Sequence, residues 1–332
     1  MKQHRAQLLV PSQCQVGESL IWHPQHAAVY WVDITGKQLH RFVLSSEQHT
    51  VWDTPEMTGC IALCADGSFI AGMESGLFQI EFNRHTPLRF TKLCDAPHSA
   101  PHMRFNDGRT DRQGRFIAGT MTIAQTVGQG NPSVYQYAKP YLNACSNTGS
   151  NTDLNNDLNN DLSTRLSQAQ KAQLKTLLTG FVSPFTTPNG TAFSPDGRTF
   201  YLSDSHASQQ RVWAFDYDTQ TGTPSHRREF IDMNQHPGRP DGAAMDTDGC
   251  YWICATDAGL IHRFTPQGTL DYSLTVPVKK PTICTFGGGT LRTLFVASIR
   301  PAGDVSDQPL AGGVFVFEGL GVQGIAETPF AQ

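Results

Sequence analysis

The sequence predicts an all-β chain: a six-bladed β-propeller whose four-stranded antiparallel blades surround a central channel. Short runs of β-branched and aromatic residues recur in pairs along the 332 residues. The pairs mostly stand about 40–50 residues apart, the spacing of propeller blades. Several are introduced by a tight turn built on an X-Gly dipeptide. No such pair can bury both faces alone, and radial stacking buries all of them together.

The pairs run in order. Ala28–Asp33 leads through Thr35-Gly36-Lys37 to Gln38–Val43. Ser68–Met73 leads through Ser75-Gly76 to Leu77–Phe82, and Arg115–Met121 leads eventually to Ser133–Tyr137. Thr199–Asp204 precedes Arg211–Tyr217, and Cys250–Thr256 leads through Asp257-Ala258-Gly259 to Leu260–Thr265. Thr293–Ser298 with Gly313–Glu318 makes the sixth pair. The introducing turns are Asp66-Gly67, Gln113-Gly114, Asp196-Gly197 and Asp248-Gly249. Ala6–Val10 and Ala326–Phe330 are expected to pair with each other and close the ring. The whole chain, 1–332, reads as one propeller domain.

One gap is longer than the rest. Asn151–Leu162 repeats Asp, Leu and Asn, and the stretch from Ser163 that follows has helical propensity with Ser163 as its cap. The Asn-rich part is polar and cannot sustain a core. Residues 140–175 therefore read as an excursion between two strands of the third blade: a surface loop, with a lid or dimer contact as the alternative.

Composition excludes some classes. Net charge is −4 and charged residues are 16%, so the chain lacks the basic excess that nucleic acid or an anionic membrane demands. The apolar run near the first residues is too short for a secretory signal, and no stretch approaches a membrane span. These features predict a cytoplasmic protein with reduced thiols. Among its eight cysteines, Cys60/Cys64 and Cys250/Cys254 are each four apart and read as buried small hydrophobes.

Four segments place hard oxygen ligands beside turns: Gly17-Glu18-Ser19, Arg104-Phe105-Asn106-Asp107-Gly108, Pro188-Asn189-Gly190 and Arg239-Pro240-Asp241-Gly242. Each alone is an ordinary turn sequence, and Arg104 beside Asp107 reads equally as a local ion pair. Recurrence at matched blade positions gives them weight. Equivalent positions of different blades converge on the axis, so Glu18, Asn106, Asn189 and Asp241 are expected to face one another across the channel. Two carboxylates and amides suit a hard divalent cation such as Ca²⁺, Mg²⁺ or Mn²⁺, with Zn²⁺ or Fe²⁺ also compatible. Other chemistries fit less well. There is no G-x-S-x-G elbow for Ser205-His206 to serve, and Gly287-Gly288-Gly289 lacks the lysine of a phosphate loop.

These segments, with GESLIWHPQHAAVYWVDI, RFNDGRTDRQGRFIAGTM and PNGTAFSPDGRTFYLSDS, resemble the senescence marker protein/gluconolactonase/luciferin-regenerating-enzyme family over nearly the whole chain. The resemblance implies hydrolysis of small sugar lactones with one divalent cation. It implies metal ligation by Glu18, Asn189 and Asp241, substrate hydroxyls held by Arg104 and Asn106, and Asp241 as general base. Gly119-Thr120-Met121 is followed by Thr122–Gln125, with no acid where some relatives carry one. Asp204 reads either as a channel residue or as a strand-end turn aspartate. The alternatives are a calcium-binding regulatory propeller without turnover, a promiscuous esterase or organophosphate hydrolase, and a protein-binding propeller.

Overall fold

In five of the six sheets of the protein, the outermost strand is the most exposed and the strands inside it are mostly buried. The computed structural model describes residues 4–82, 88–123, 130–138, 174–176 and 185–331. β1 (Gln7–Val10) comes first in the chain and completes the last sheet. The first sheet is β2 (Gly17–His23), β3 (Ala28–Asp33), β4 (Gln38–Val43) and β5 (Gln48–Asp53). The second is β6 (Thr58–Leu63), β7 (Phe69–Met73), β8 (Gly76–Glu81) and β9 (Arg89–Asp95). The third is β10 (Met103–Thr110), β11 (Phe116–Thr122), β12 (Val134–Tyr137) and β13 (Leu174–Thr176). The fourth is β14 (Pro188–Phe193), β15 (Thr199–Asp204), β16 (Arg211–Asp218) and β17 (Thr223–Asp232). The fifth is β18 (Arg239–Met245), β19 (Tyr251–Thr256), β20 (Leu260–Phe264) and β21 (Leu270–Thr275). The sixth is β22 (Pro281–Gly287), β23 (Thr293–Ser298) and β24 (Val314–Phe317), with β1 outside β24.

The first strands of the sheets touch in sequence order, and β2 also packs on β22, so the blades form a closed ring. This is the six-bladed propeller that the sequence predicts. The predicted pairs are the second and third strands of each blade. The Gly of each introducing turn takes the left-handed backbone that other residues resist: φ is +85° at Gly67, +81° at Gly114, +72° at Gly197 and +78° at Gly249.

The core is divided between the blades. Six clusters of buried apolar residues sit where neighbouring blades meet. Trp22, Trp31 and Phe295 join the sixth blade to the first, and Tyr30, Ile61 and Phe69 join the first to the second. Burying side chains of this size stabilises each interface by about 1.5–3 kcal/mol per residue. Cys60, Cys64, Cys250 and Cys254 are all buried, as expected, and all but Cys250 lie within the apolar clusters.

Two expectations need correction. Ala6–Val10 does not pair with Ala326–Phe330. β1 runs antiparallel to β24, with Gln7 opposite Val316, because β24 is a continuous apolar, buried strand whose outer edge β1 pairs. Residues 326–330 instead cross the ring, and Phe330 bridges to Cys64 in the second blade. The expected helix also fails at its end: Leu174–Thr176 is the outer strand of the third blade, paired with β12. The rest of the 140–175 excursion lies outside the described residues. Among the described residues, no helix is long and apolar enough to cross a membrane.

Close approach of blades explains one glycine. A Cβ at Gly59 would lie 2.1 Å from the Phe105 carbonyl oxygen, so only glycine lets β6 lie against β10. Gly59→Ala is expected to destabilise the protein by about 3 kcal/mol, the upper end for overpacking. Thermal denaturation of the variant checks this.

Candidate active site

Each innermost strand loses register once with its neighbour near its start, between Glu18 and Ile21 in the first blade and between Pro240 and Ala243 in the fifth. The same slip occurs in β6, β10, β14 and β22. Such a bulge re-aims side chains that a regular strand would alternate. After the slip, the pairs Trp22↔Val29, Leu63↔Phe69, Thr110↔Phe116, Phe193↔Phe200, Met245↔Tyr251 and Phe286↔Leu294 are structurally equivalent. The residues four positions earlier on the inner strands are therefore equivalent too. They are Glu18, Gly59, Asn106, Asn189, Asp241 and Thr282. The four residues expected to converge stand at one level of the channel. The other two positions add no free donor: Gly59 has no side chain, and the Thr282 hydroxyl donates to the Gly17 carbonyl.

The polar contacts are direct. Asn189 Nδ2 donates to Asp241 Oδ1 at 2.5 Å, joining the fourth blade to the fifth. Asn106 Nδ2 donates to the Pro188 carbonyl at 3.1 Å. Arg104 Nη1 donates to Asn106 Oδ1 and to the Phe105 carbonyl, each at 2.8 Å. The alternative of an Arg104–Asp107 ion pair does not hold, because no such pair forms among the described residues. Asp107 Oδ2 instead accepts from the Thr191 backbone N–H at 2.7 Å, across the blade boundary.

Burial of several carboxylates in one place sets the electrostatics. Burial first, and then the charges of Asp241 and Asp107, push the Glu18 carboxyl well above its usual range. Burial also raises Asp241, to about 8, with Asp107 adding to the rise and Arg239 opposing it. Burial lowers the Arg104 guanidinium to about 10 against the opposing pull of Glu18. Crowded and buried, these acids thus favour their protonated form, and the nearby guanidinium groups only partly offset that tendency.

Two further aspartates hold the approach to this level. Asp33 accepts from the backbone N–H groups of Gln15 at 2.8 Å and Val16 at 3.0 Å, just before Glu18, and of Gly36 at 3.1 Å in its own turn. Asp204 does the same for Thr186 at 2.7 Å and Thr187 at 3.0 Å, just before Asn189, and also accepts from His206 at 3.0 Å. Asp204 is therefore a strand-end turn residue that anchors the chain leading to the site. The sequence reading does not single out Asp33, and it gives Asp107 only as a partner for Arg104. The shared ends of WVD and YLSD were the available signal for Asp33.

Among the described residues, no cluster of three or more His, Cys, Asp and Glu side chains could hold a metal ion. The donor set is two carboxylates and an amide, all oxygen. Asn189 uses its Nδ2 on Asp241, so its amide oxygen remains available. Clustered buried carboxylates lacking enough positive charge fit a divalent cation on the chemistry of the donors alone.

Residues 16–300 match the SMP-30/Gluconolactonase/LRE-like region. The chain belongs to this family. The 6-deoxy-6-sulfogluconolactonase of Pseudomonas putida is 33% identical over 319 residues, 95% of each chain. A Xenopus laevis regucalcin is 29% identical over 337 residues, with both chains covered in full. The solved regucalcin of Agrobacterium tumefaciens, a calcium-binding protein, superposes with a TM-score of 0.81 at 24% identity, over 99% of this chain and 98% of that one. This last likeness shows that the family fold is shared.

Two predictions follow from the charge and the anchors. A carboxylate with a raised folded-state pKa stabilises the fold while protonated. That contribution is lost as pH rises from the unfolded value near 4 towards the folded value, about 8 for Asp241. In chelator, Asp241→Asn should match wild type in Tm at about pH 4 and exceed it increasingly towards about pH 8. Thermal scans across that range check the sign. Asp204→Ala leaves three backbone donors without their acceptor and should cost about 2–3 kcal/mol, read from denaturant midpoints.

Proposed function

We propose that this family member hydrolyses sugar lactones to aldonic acids, with one divalent cation held by Glu18, Asn189 and Asp241. The observation that carries the reading is the convergence at one channel level of half-buried Glu18, buried Asp241 and the amides of Asn106 and Asn189, with buried Arg104 bonded to Asn106 beside them. The sulfogluconolactonase relative supports a lactone of a sugar acid as the substrate class. When bound, the cation supplies positive charge that offsets the carboxylates and polarises a carbonyl oxygen.

The chain's own residues do the rest. Arg104 and Asn106, already joined by a hydrogen bond, present donors on the third-blade side to the substrate's hydroxyls. Asp241 takes the proton of the attacking water as its oxygen bonds to the lactone carbonyl carbon. The ring C–O bond then breaks and the leaving oxygen recovers a proton, giving the hydroxy acid. Asn189 Nδ2 holds Asp241 Oδ1 and leaves Oδ2 for the proton.

The test is a panel of aldonolactones, including 6-deoxy-6-sulfogluconolactone, followed by proton release. The protein is first stripped with chelator and then given Ca²⁺, Mg²⁺, Mn²⁺, Zn²⁺ or Fe²⁺. Turnover should vanish with chelation and return with at least one cation. Asp241→Asn should lose about 10²–10⁴-fold in kcat while staying folded. Arg104→Ala should raise KM more than it lowers kcat. Cation binding without turnover on any lactone would favour the regulatory propeller instead.

A further inference from the structure

The chain after β24 crosses the end of the channel opposite the site. Gly324 N–H donates to Leu291 in the sixth blade at 2.8 Å, and Ile325 N–H to Met245 in the fifth at 3.3 Å. The Thr110 hydroxyl of the third blade donates to the Thr328 carbonyl, and Phe330 N–H to Leu63 of the second at 2.7 Å. Met245, Thr110 and Leu63 each lie four residues beyond the ring level of Asp241, Asn106 and Gly59. At about 3.3 Å per residue, the strap runs about 13 Å below the site.

One side chain of the strap reaches back up the channel. Glu327 Oε1 accepts from Arg109 Nη1 at 2.7 Å, with side-chain exposures of only 17% and 14%. Arg109 Nη2 donates to the Ala243 carbonyl at 2.6 Å. Arg109 belongs to the third blade and Ala243 to the fifth, so the guanidinium spans the fourth. Ala243 is where the β18 ladder resumes after the bulge that carries Asp241. Ser19, Ile61, Asp107, Arg109, Ile283 and Glu327 line one axial cavity between site and strap.

We propose that the Glu327–Arg109–Ala243 strut is a positioning device that fixes the β18 bulge, and through it Asp241, for cation binding. Glu327 supplies the negative charge that lets a largely shielded guanidinium stay in the channel, and Arg109 transmits that anchoring to β18. The inference rests on the proposed role of Asp241 in holding a cation, and its test separates the two.

Cation affinity is measured by titrating the stripped full-length protein with Ca²⁺ or Mn²⁺ alone. Hydrogen exchange of the peptide over residues 239–245 is measured in the cation-free protein. Glu327→Ala should weaken cation binding by about 10-fold or more and speed exchange in that peptide, with Glu327→Asp recovering most of both. Phe330→Ala, which loosens the strap away from the strut, should lower Tm while leaving affinity and exchange near wild type. If Glu327→Ala fails to fold, the paired Arg109→Met/Glu327→Leu variant replaces the ion pair with apolar volume and should show the same two losses. Unchanged affinity and exchange in a folded strut variant would overturn the proposal. So would equal losses in Phe330→Ala. If wild type binds no cation, the metal reading fails, and the exchange comparison alone decides whether the strut holds β18.

Discussion

Closure of the ring by β1 on β24 is the constraint on which the rest depends. Glu18, Asn189 and Asp241 are far apart in sequence, and no local segment brings them together. They meet because six inner strands repeat one bulge, and because the sixth blade takes its outer strand from the other end of the chain. An open ring would let the first and sixth blades drift, and Glu18 would leave the level of Asp241. The apolar cluster of Trp22, Trp31, Phe295 and Val314 at that junction therefore supports the position of Glu18 as well as the fold.

The axis is also where the protein gives up stability. Glu18, Asp107 and Asp241 are brought near one another with partial compensation from Arg104, Arg109 and Arg239. Backbone donors soften part of the cost: Asp107 takes the Thr191 N–H, while Asp33 and Asp204 secure the chain just upstream. These anchors give the inner strands a fixed course into the bulge, so the acidic groups cannot relax their repulsion by moving apart. Repulsion that geometry does not allow to relax is what a cation binding there would relieve.

Much of this was legible in the sequence, for reasons that also explain what was not. The second and third strands of each blade carry paired β-branched and aromatic runs such as AVYWVD and TFYLSD, and these were readable as strands. The inner strands were not, because RFNDG, PNGT and RPDG have the composition of turns. They are strands only because neighbouring blades bury both of their faces. The outer strands, such as Gln48–Asp53 and Thr223–Asp232, are polar and half exposed, so they carry little pattern. Glu18, Asn106, Asn189 and Asp241 were legible because the repeat fixes their level. The Asp107 contact with Thr191 and the strut were not, because their partners lie in other blades and in a segment without periodicity. The expected pairing of Ala326–Phe330 failed for that reason: its partners are the lower ends of several inner strands rather than one edge.

The asymmetry of the ring level bears on what the site can do. Were all six positions oxygen donors, a cation there would be enclosed and structural. Instead Gly59 contributes no side chain, and its smallness lets β10 approach, which sets where Asn106 stands. Thr282 turns its hydroxyl to the Gly17 carbonyl, supporting the residue next to Glu18 rather than facing the axis. The acids of this level therefore lie in the first and fifth blades, with Asn189 of the fourth bonded to Asp241, while the Arg104–Asn106 pair occupies the third. On the proposed reading, one arc of the ring holds the cation, and the other carries neutral and positive donors suited to a hydroxylated substrate. That division requires the acid-bearing strands to be held from below, since the substrate side cannot brace them. The segment after β24, reaching up from the opposite end through Glu327 and Arg109 to Ala243, is placed to do so.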